Sequence, residues 1–240
     1  MSRYLVLFAR EPAREAREKG FGSSDAVRLF ASFASGWARQ ARRVGATLVI
    51  AAPREDRTAW SRRLRGEGPL RWISQNGASF GQRVERTARA AALLRGHAIL
   101  VGGDVPPCGS ILARAFEALE TGAQAVIAPA EDGGISLVGL EDPDLDLLGV
   151  LAPRRRNVFA NLYAALRRRG RTVELLETTP DVDGRRDLRS LVRREGLEPD
   201  ALELARRCLA APRVEEPEEN LPLRAPGNPP ADSRAPPRAA

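Results

Sequence analysis

The residues best placed to do chemistry are acids that follow short apolar runs. Ala98 to Val101 is such a run, and Gly102, Gly103, Asp104, Val105, Pro106 and Pro107 follow it directly. In an open parallel α/β sheet, ligands bind outside the carboxyl ends of the strands, where loops and helix N-termini converge. A carboxylate held there behind two glycines suits a hard divalent cation that bridges phosphate oxygens. It equally suits a cap for the helix after the prolines, and spacing leaves both readings open. Asp181 and Asp183 form a second acidic element just past another strand-like run, Thr172 to Leu176. Only one of these two acids is expected to face a cleft. If the two loops meet in space, Asp104 and one of this pair supply two anionic oxygen ligands for Mg2+ or Mn2+. In the alternative reading, Asp183 opens a turn with Gly184 and caps the helix that follows.

Three further groups bear on chemistry more weakly. Glu131, Asp132, Gly133 and Gly134 make an acidic turn that signals a hairpin, and in a transferase Asp132 would be a polar contact on the acceptor side. Ser79, Phe80, Gly81, Gln82 and Arg83 start a helix, where Arg83 could reach a phosphate. His97, the only histidine, precedes a strand and has no partner in sequence, so it is read as structural.

The elements that must position these residues alternate between the two periods. Strand-length apolar runs occur at Tyr4 to Phe8, Thr47 to Ala51, Leu70 to Ser74, Ala98 to Val101 and Ala125 to Ala128. Between them, Ser24 to Val44, Phe80 to Leu94 and Ile111 to Leu119 place apolar residues at helical spacing. Ile135 to Leu140 suits a strand that pairs antiparallel, and Val158 to Arg169, Arg185 to Arg194 and Asp200 to Leu209 read as helices. This alternation predicts an α/β fold with a mixed, mostly parallel sheet covered by helices on both faces. Residues 1–211 are expected to form one domain. From about Pro212 the chain turns to proline, glutamate and arginine without apolar periodicity, and 212–240 is expected to be a disordered tail.

Composition narrows the function classes. The net charge is +7, but Lys19 is the only lysine, and the arginines are interleaved with acids, as in Arg14, Glu15, Arg17 and Glu18. With aromatic residues at 5%, the chain lacks the rings of a nucleic-acid stacking surface. Two distant cysteines, Cys108 and Cys208, give no zinc spacing or disulfide framework, which favours a reducing, cytoplasmic setting. The apolar run at Tyr4 to Phe8 is too short for a membrane span.

Taken in order, LVLFAREP (Leu5 to Pro12), SQNGASFGQRV (Ser74 to Val84), ILVGGDVPP (Ile99 to Pro107), VIAPAEDGGISLVGL (Val126 to Leu140) and DVDGRRDL (Asp181 to Leu188) resemble the DUF2064 family of bacterial glycosyltransferase-like proteins. That family is related to the molybdenum-cofactor and phospholactate nucleotidyltransferases within the GT-A, or nucleotide-diphospho-sugar transferase, fold. The resemblance implies a metal-dependent glycosyltransferase-like transferase with a nucleotide-sugar donor and an unknown acceptor, and a possible homodimer. Nucleotidyl transfer from a nucleoside triphosphate, or a non-catalytic binding module, are the alternatives. It implies Asp104 and Asp132 as catalytic residues, Asp104 and Asp183 as ligands of Mg2+ or Mn2+, and Ala9, Arg10, Lys19, Gln75, Arg83 and Gly103 as nucleotide- or phosphate-binding residues. The sequence departs from the family in the loop after the first strand. Glu15 stands where the family carries a glycine and Glu18 where it carries a lysine, and like charge beside a polyphosphate is repulsive. The D-G-G-Y-Y stretch of the family becomes Asp132, Gly133, Gly134, Ile135, Ser136, and its T-P-E-D-L end becomes Gly184, Arg185, Arg186, Asp187, Leu188.

Overall fold

The computed structural model describes residues 1–68, 70–140, 157–194 and 196–211. The strands are β1 (Ser2–Phe8), β2 (Ala46–Ala52), β3 (Arg71–Ser74), β4 (Gly96–Gly102), β5 (Ala125–Pro129), β6 (Ile135–Leu140) and β7 (Val173–Leu175). They form a single sheet in the order β3-β2-β1-β4-β6-β5-β7. The helices are α1 (Pro12–Glu18), α2 (Ser24–Arg43), α3 (Arg57–Arg63), α4 (Phe80–Ala92), α5 (Ile111–Glu120), α6 (Val158–Arg168), α7 (Arg185–Leu191) and α8 (Pro199–Ala210).

All pairings are parallel except those of β6, which runs antiparallel to β4 and to β5. The reason is local. Parallel neighbours need a crossover of a dozen or more residues, and the turn from Ala130 to Gly134 is too short to supply one. Leu5, Val6 and Leu7 of β1 are fully buried, which is why the central strands are apolar without a break. Alternate residues then serve opposite layers. Leu5, Leu7, Ile50, Ile99 and Val101 pack against α2, α3 and α5, while Tyr4, Val6, Val49, Ala98 and Leu100 pack against α4 and α6. A third cluster joins α1, α2, α7 and α8 around Phe30, Phe33, Val182, Leu188 and Ala205.

The expected α/β architecture is the observed one. The expected tail, 212–240, lies outside the described residues. Two helices, α1 and α3, go beyond those expected from the sequence. In α1, Pro12 occupies the first turn and Glu11 caps it, its carboxylate accepting from the amides of Ala13 at 2.9 Å and Arg14 at 3.2 Å. Its other end closes on Gly20 at φ +75°, with Phe21 N–H bonded to the carbonyl of Ala16 and Gly20 N–H to that of Arg17. Among the described residues no helix is long and apolar enough to cross a membrane.

Candidate functional site

Asp104 sits just beyond the carboxyl end of β4, beside the end of β1, because two glycines let the chains approach. Gly103 N–H donates to the carbonyl of Phe8 at 3.0 Å. A Cβ on Gly103 would lie 2.4 Å from the Cβ of Ala9, and one on Gly102 would lie 2.5 Å from Oδ1 of Asp104. The stretch after Asp104 is pinned by Trp37, whose buried indole Nε1 donates to the carbonyl of Val105 at 2.8 Å. The Asp104 carbonyl accepts from Val182 N–H at 3.1 Å. Val182 is wholly buried in the third helical cluster, so the acids on either side of it, Asp181 and Asp183, are carried to the same edge as Asp104.

Lys19 joins the two loops. From the C-cap of α1 its Nζ donates to Oδ2 of Asp104 at 2.7 Å and also to Oδ1 of Asp183. Oε1 of Glu15, one turn back on the same helix, lies 3.8 Å away. Burial alone would lower the pKa of the Lys19 ammonium, but Asp104 and Asp183 together hold it well above the ordinary lysine value. Glu15 is only 7% exposed. Burial and then the nearby Asp104 raise its pKa, and the Lys19 and Arg10 charges oppose them. Arg10 answers both substituted glutamates of this loop, with Nη1 at 2.8 Å from Glu18 and 3.5 Å from Glu15.

A second feature lies on the other side of Asp183. Asp132, Asp181 and Asp183 each bring a carboxylate oxygen within 4.8 Å of the other two. Asp132 is fixed by the hairpin, its Oδ1 accepting from Gly134 N–H at 2.7 Å. Burial, then the charges of Asp132, Asp104 and Asp183, push the Asp181 carboxyl up to about 7. Both Asp181 and Asp183 therefore reach the acid cluster, against the expectation that only one would. Residues two apart in extended backbone share a face, and Val182 between them turns into the core. Asp183 does not cap α7: Gly184 holds the N-cap position without a side-chain cap, and Oδ2 of Asp187 accepts from Asp183 N–H at 3.0 Å.

Asp104, Asp183 and the buried Glu15 thus surround the Lys19 ammonium, and Asp132 and Asp181 lie beside Asp183, so carboxylates outnumber the ammonium at this edge. That donor set, all carboxylate oxygen, fits a hard divalent cation such as Mg2+ or Mn2+.

The remaining residues singled out from the sequence serve the scaffold in different ways. Gln75 Nε2 donates to the carbonyls of Ala51 at 2.7 Å and Ala9 at 3.3 Å, which braces the ends of β1 and β2. Arg83 is half-buried on α4 and makes no ion pair with another described residue. His97 is buried at the start of β4, the end of that strand away from Asp104. Three contributors have no distinguishing signal in the sequence: Glu15 as a buried acid, Trp37 as the tether of Val105, and Asp56, whose Oδ2 accepts from Glu11 N–H at 2.9 Å. A cavity of about 370 Å³ opens at the carboxyl ends of β2 and β3, lined by Arg54, Arg57, Thr58 and Trp72 among others. A larger one, about 500 Å³, lies around Met1, Arg3 and Glu120 at the opposite ends of the strands and away from the acids.

Comparison with known proteins bears on the fold. Residues 37–152 match the family model described as "Uncharacterized protein conserved in bacteria (DUF2064)". The match includes Gln75, Arg83, Gly103, Asp104 and Asp132, while Ala9 to Lys19 and Asp181 to Asp183 fall outside it. No curated protein matches the chain. Among solved structures, a candidate nucleotide-diphospho-sugar transferase from Desulfovibrio desulfuricans G20 superposes with a TM-score of 0.72 at 24% identity, over 88% of this chain and 96% of that one. The 4-diphosphocytidyl-2C-methyl-D-erythritol synthase of Anaerococcus prevotii DSM 20548 superposes with 0.55 at 8% identity, over 87% and 95% of the two chains. The inositol-1-phosphate CTP transferase of T. maritima gives 0.53 at 12% identity, over 86% and 96%. Residues 37–152 thus match the DUF2064 family model, and the chain has the fold of the nucleotide-diphospho-sugar transferases.

Proposed function

We propose that the chain is a metal-dependent transferase of the glycosyltransferase type, taking a nucleotide-activated sugar donor at the carboxyl edge of its sheet. The observation that carries this reading is the junction of two distant loops, in which the Val182 amide bonded to the Asp104 carbonyl sets Asp104 and Asp183 around one cation, Lys19. Asp104 and Asp183 would hold Mg2+ or Mn2+, with Asp132 and Asp181 beside them. The ion would supply neutralisation of the charge that grows on a leaving phosphate. The protein's own share is to orient. Gly103 keeps the backbone clear for the diphosphate, Arg83, without an ion-pair partner among the described residues, offers its guanidinium to a phosphate, and Arg10 offsets Glu15 and Glu18 so that the altered loop does not repel the donor. The cavity between Arg54, Arg57 and Trp72 lies on the same edge as Asp104, with the end of β1 between, and gives the nucleoside a place. Asp132 faces the acceptor side.

In glycosyl transfer the anomeric C–O bond to the diphosphate breaks, and in nucleotidyl transfer a P–O bond within a triphosphate breaks. Both leave charge on phosphate oxygens at this edge, and the structural neighbours are named for sugar-nucleotide and for nucleotidyl transfer. Residues 1–211 act as one domain in this reading, in a cytoplasmic setting. Calorimetric titration with nucleotide sugars and nucleoside triphosphates, with and without MnCl2, tests it. Binding that needs Mn2+ and is lost in Asp104→Asn is expected; nucleotide binding indifferent to metal, or none at all, rejects it.

A second reading has its own observation. Where the family carries a glycine-bearing loop, this chain folds α1, a helix whose Glu18 pairs with Arg14 of the same helix and with Arg10 just before it. That favours a binding module without catalysis, and it gains if Asp104→Asn leaves cellular function unchanged.

A further inference from the structure

One side chain in the cleft occupies the position the proposed metal needs. Lys19 Nζ bonds Oδ2 of Asp104 and Oδ1 of Asp183 together, so an ion bridging those oxygens and the ammonium exclude each other. The lysine does not arrive there by chance of a mobile loop. It is the C-cap of α1, followed by the left-handed Gly20, and the closing bonds of Gly20 and Phe21 fix where its stem begins. The same helix also carries the alternative partner. Glu15 lies one turn earlier, 3.8 Å from Nζ and 7% exposed. Its second charge partner, Arg10, is more distant at 3.5 Å than Arg10 is from Glu18 at 2.8 Å, so Glu15 has capacity for Lys19. A lysine ammonium on a flexible four-carbon stem can turn from Asp104 and Asp183 to a glutamate one helical turn before it without moving the backbone.

We propose that Lys19 is a tethered counter-cation: it holds the Asp104–Asp183 pair closed when no metal is bound, and a divalent ion displaces it onto Glu15. This rests on the metal reading above. The arrangement explains why a glutamate stands, buried, where the family has glycine. It keeps Lys19 partnered in both states, so that neither state leaves a buried charge uncompensated. It also makes metal affinity a competition within the chain, with Lys19 as the competitor.

The test is calorimetry of the full chain with MnCl2 alone. Lys19→Met is expected to bind Mn2+ at least tenfold more tightly than the wild type, Lys19→Arg to stay within about threefold of it, and Asp104→Asn to abolish the gain in the Lys19→Met background. Glu15→Gln is expected to weaken Mn2+ binding when Lys19 is present and to have no effect beside Lys19→Met, because the interaction runs through the lysine. Removing Lys19 leaves carboxylates facing one another, so a cooperative melt is recorded first. Lys19→Gln carries the same comparison if the methionine variant does not fold. Mn2+ binding that is lost in Asp104→Asn yet equal or weaker in Lys19→Met overturns the proposal and leaves the metal reading standing. No Mn2+ binding in any variant sinks both.

Discussion

Asp181→Asn should make the protein more stable at pH 8 and change it little near pH 4. The Asp181 carboxyl is partly buried among Asp132, Asp104 and Asp183, and its pKa rises from the ordinary 3.8 to about 7. Between those two values the folded chain keeps a proton that the unfolded chain has released. Stability therefore falls as pH rises through this window, and the full penalty is present above pH 7. At about 1.4 kcal/mol per pH unit the ceiling is about 4 kcal/mol. Solvent reaches part of the carboxyl and screens its neighbours, so about 2 kcal/mol is the expected gain for the asparagine variant at pH 8. At pH 5 roughly a third of it should be visible, by the same integration.

The assay is urea unfolding of wild type and variant at pH 5 and pH 8, with EDTA present so that no metal relieves the repulsion. Equal slopes against urea with a higher midpoint for the variant at pH 8 would report a true stability change. A gap between the two proteins that stays constant with pH, or that narrows toward pH 8, would refute the reasoning. It would mean that the acids do not share a field. Adding MnCl2 at pH 8 should narrow the gap, since a cation held by Asp104 and Asp183 offsets the Asp181 charge in the wild type, whereas the variant has no such repulsion to relieve.

Other substitutions probe how the site is held. Gly103→Ala places a methyl 2.4 Å from the Cβ of Ala9, so the ends of β1 and β4 must part; about 1–3 kcal/mol should be lost, read as a lower thermal midpoint together with weaker nucleotide binding. Trp37→Phe removes the 2.8 Å hydrogen bond to Val105 and leaves that carbonyl unpaired, which should cost about 1–3 kcal/mol in urea unfolding and loosen amide exchange at residues 103–107. Arg10→Gln strips Glu18 and the buried Glu15 of a cation. Because burial already raises the Glu15 pKa, the loss should be largest where that carboxyl is ionised and shrink as pH falls and it protonates, above the ordinary glutamate range, a dependence that thermal melts across pH will show.

The sheet was legible because its central strands are buried on both faces, which forces unbroken apolar runs such as Leu5 to Leu7. The antiparallel β6 was legible because a two-glycine turn cannot support a crossover. Helix α1 was not, although its signals were present in Glu11, Pro12 and Gly20. Aligned to the family pattern, the segment is a phosphate loop with the wrong charges. Taken for itself, it is a capped seven-residue helix whose arginines and glutamates pair with one another and with neighbouring elements. The meeting of Asp104 with Asp183 could be posed from the sequence as a question of distance and no more, because it depends on Val182, and nothing in the sequence around Val182 shows which side chains surround it. Lys19 was harder still. A lysine after a helix ordinarily favours the helix C-terminus and solvent; here the closing turn at Gly20 aims it inward instead.

The distribution of the site over the chain has a consequence for how it fails. Asp104 and Asp132 belong to the sheet, and both fall within the family match. Lys19, Asp181 and Asp183 are carried by the helical cluster of α1, α2, α7 and α8, which packs around Phe30, Phe33, Val182 and Leu188. The charge balance of the cleft therefore depends on the docking of a separate apolar cluster, although none of that cluster's apolar side chains is assigned a ligand contact. Leu188→Ala, at a position with no exposed surface, should cost about 2–5 kcal/mol, and part of that loss should appear as local opening rather than global unfolding. When the cluster opens, Lys19 and Asp183 leave together, and Asp104 and Asp132 remain on an intact sheet. Mn2+ affinity should then fall by more than the change in global stability accounts for. Hydrogen exchange would locate the opening: faster exchange confined to α1, α7 and α8, with β1 and β4 protected as before, is the expected pattern, and uniform acceleration across the sheet would refute it.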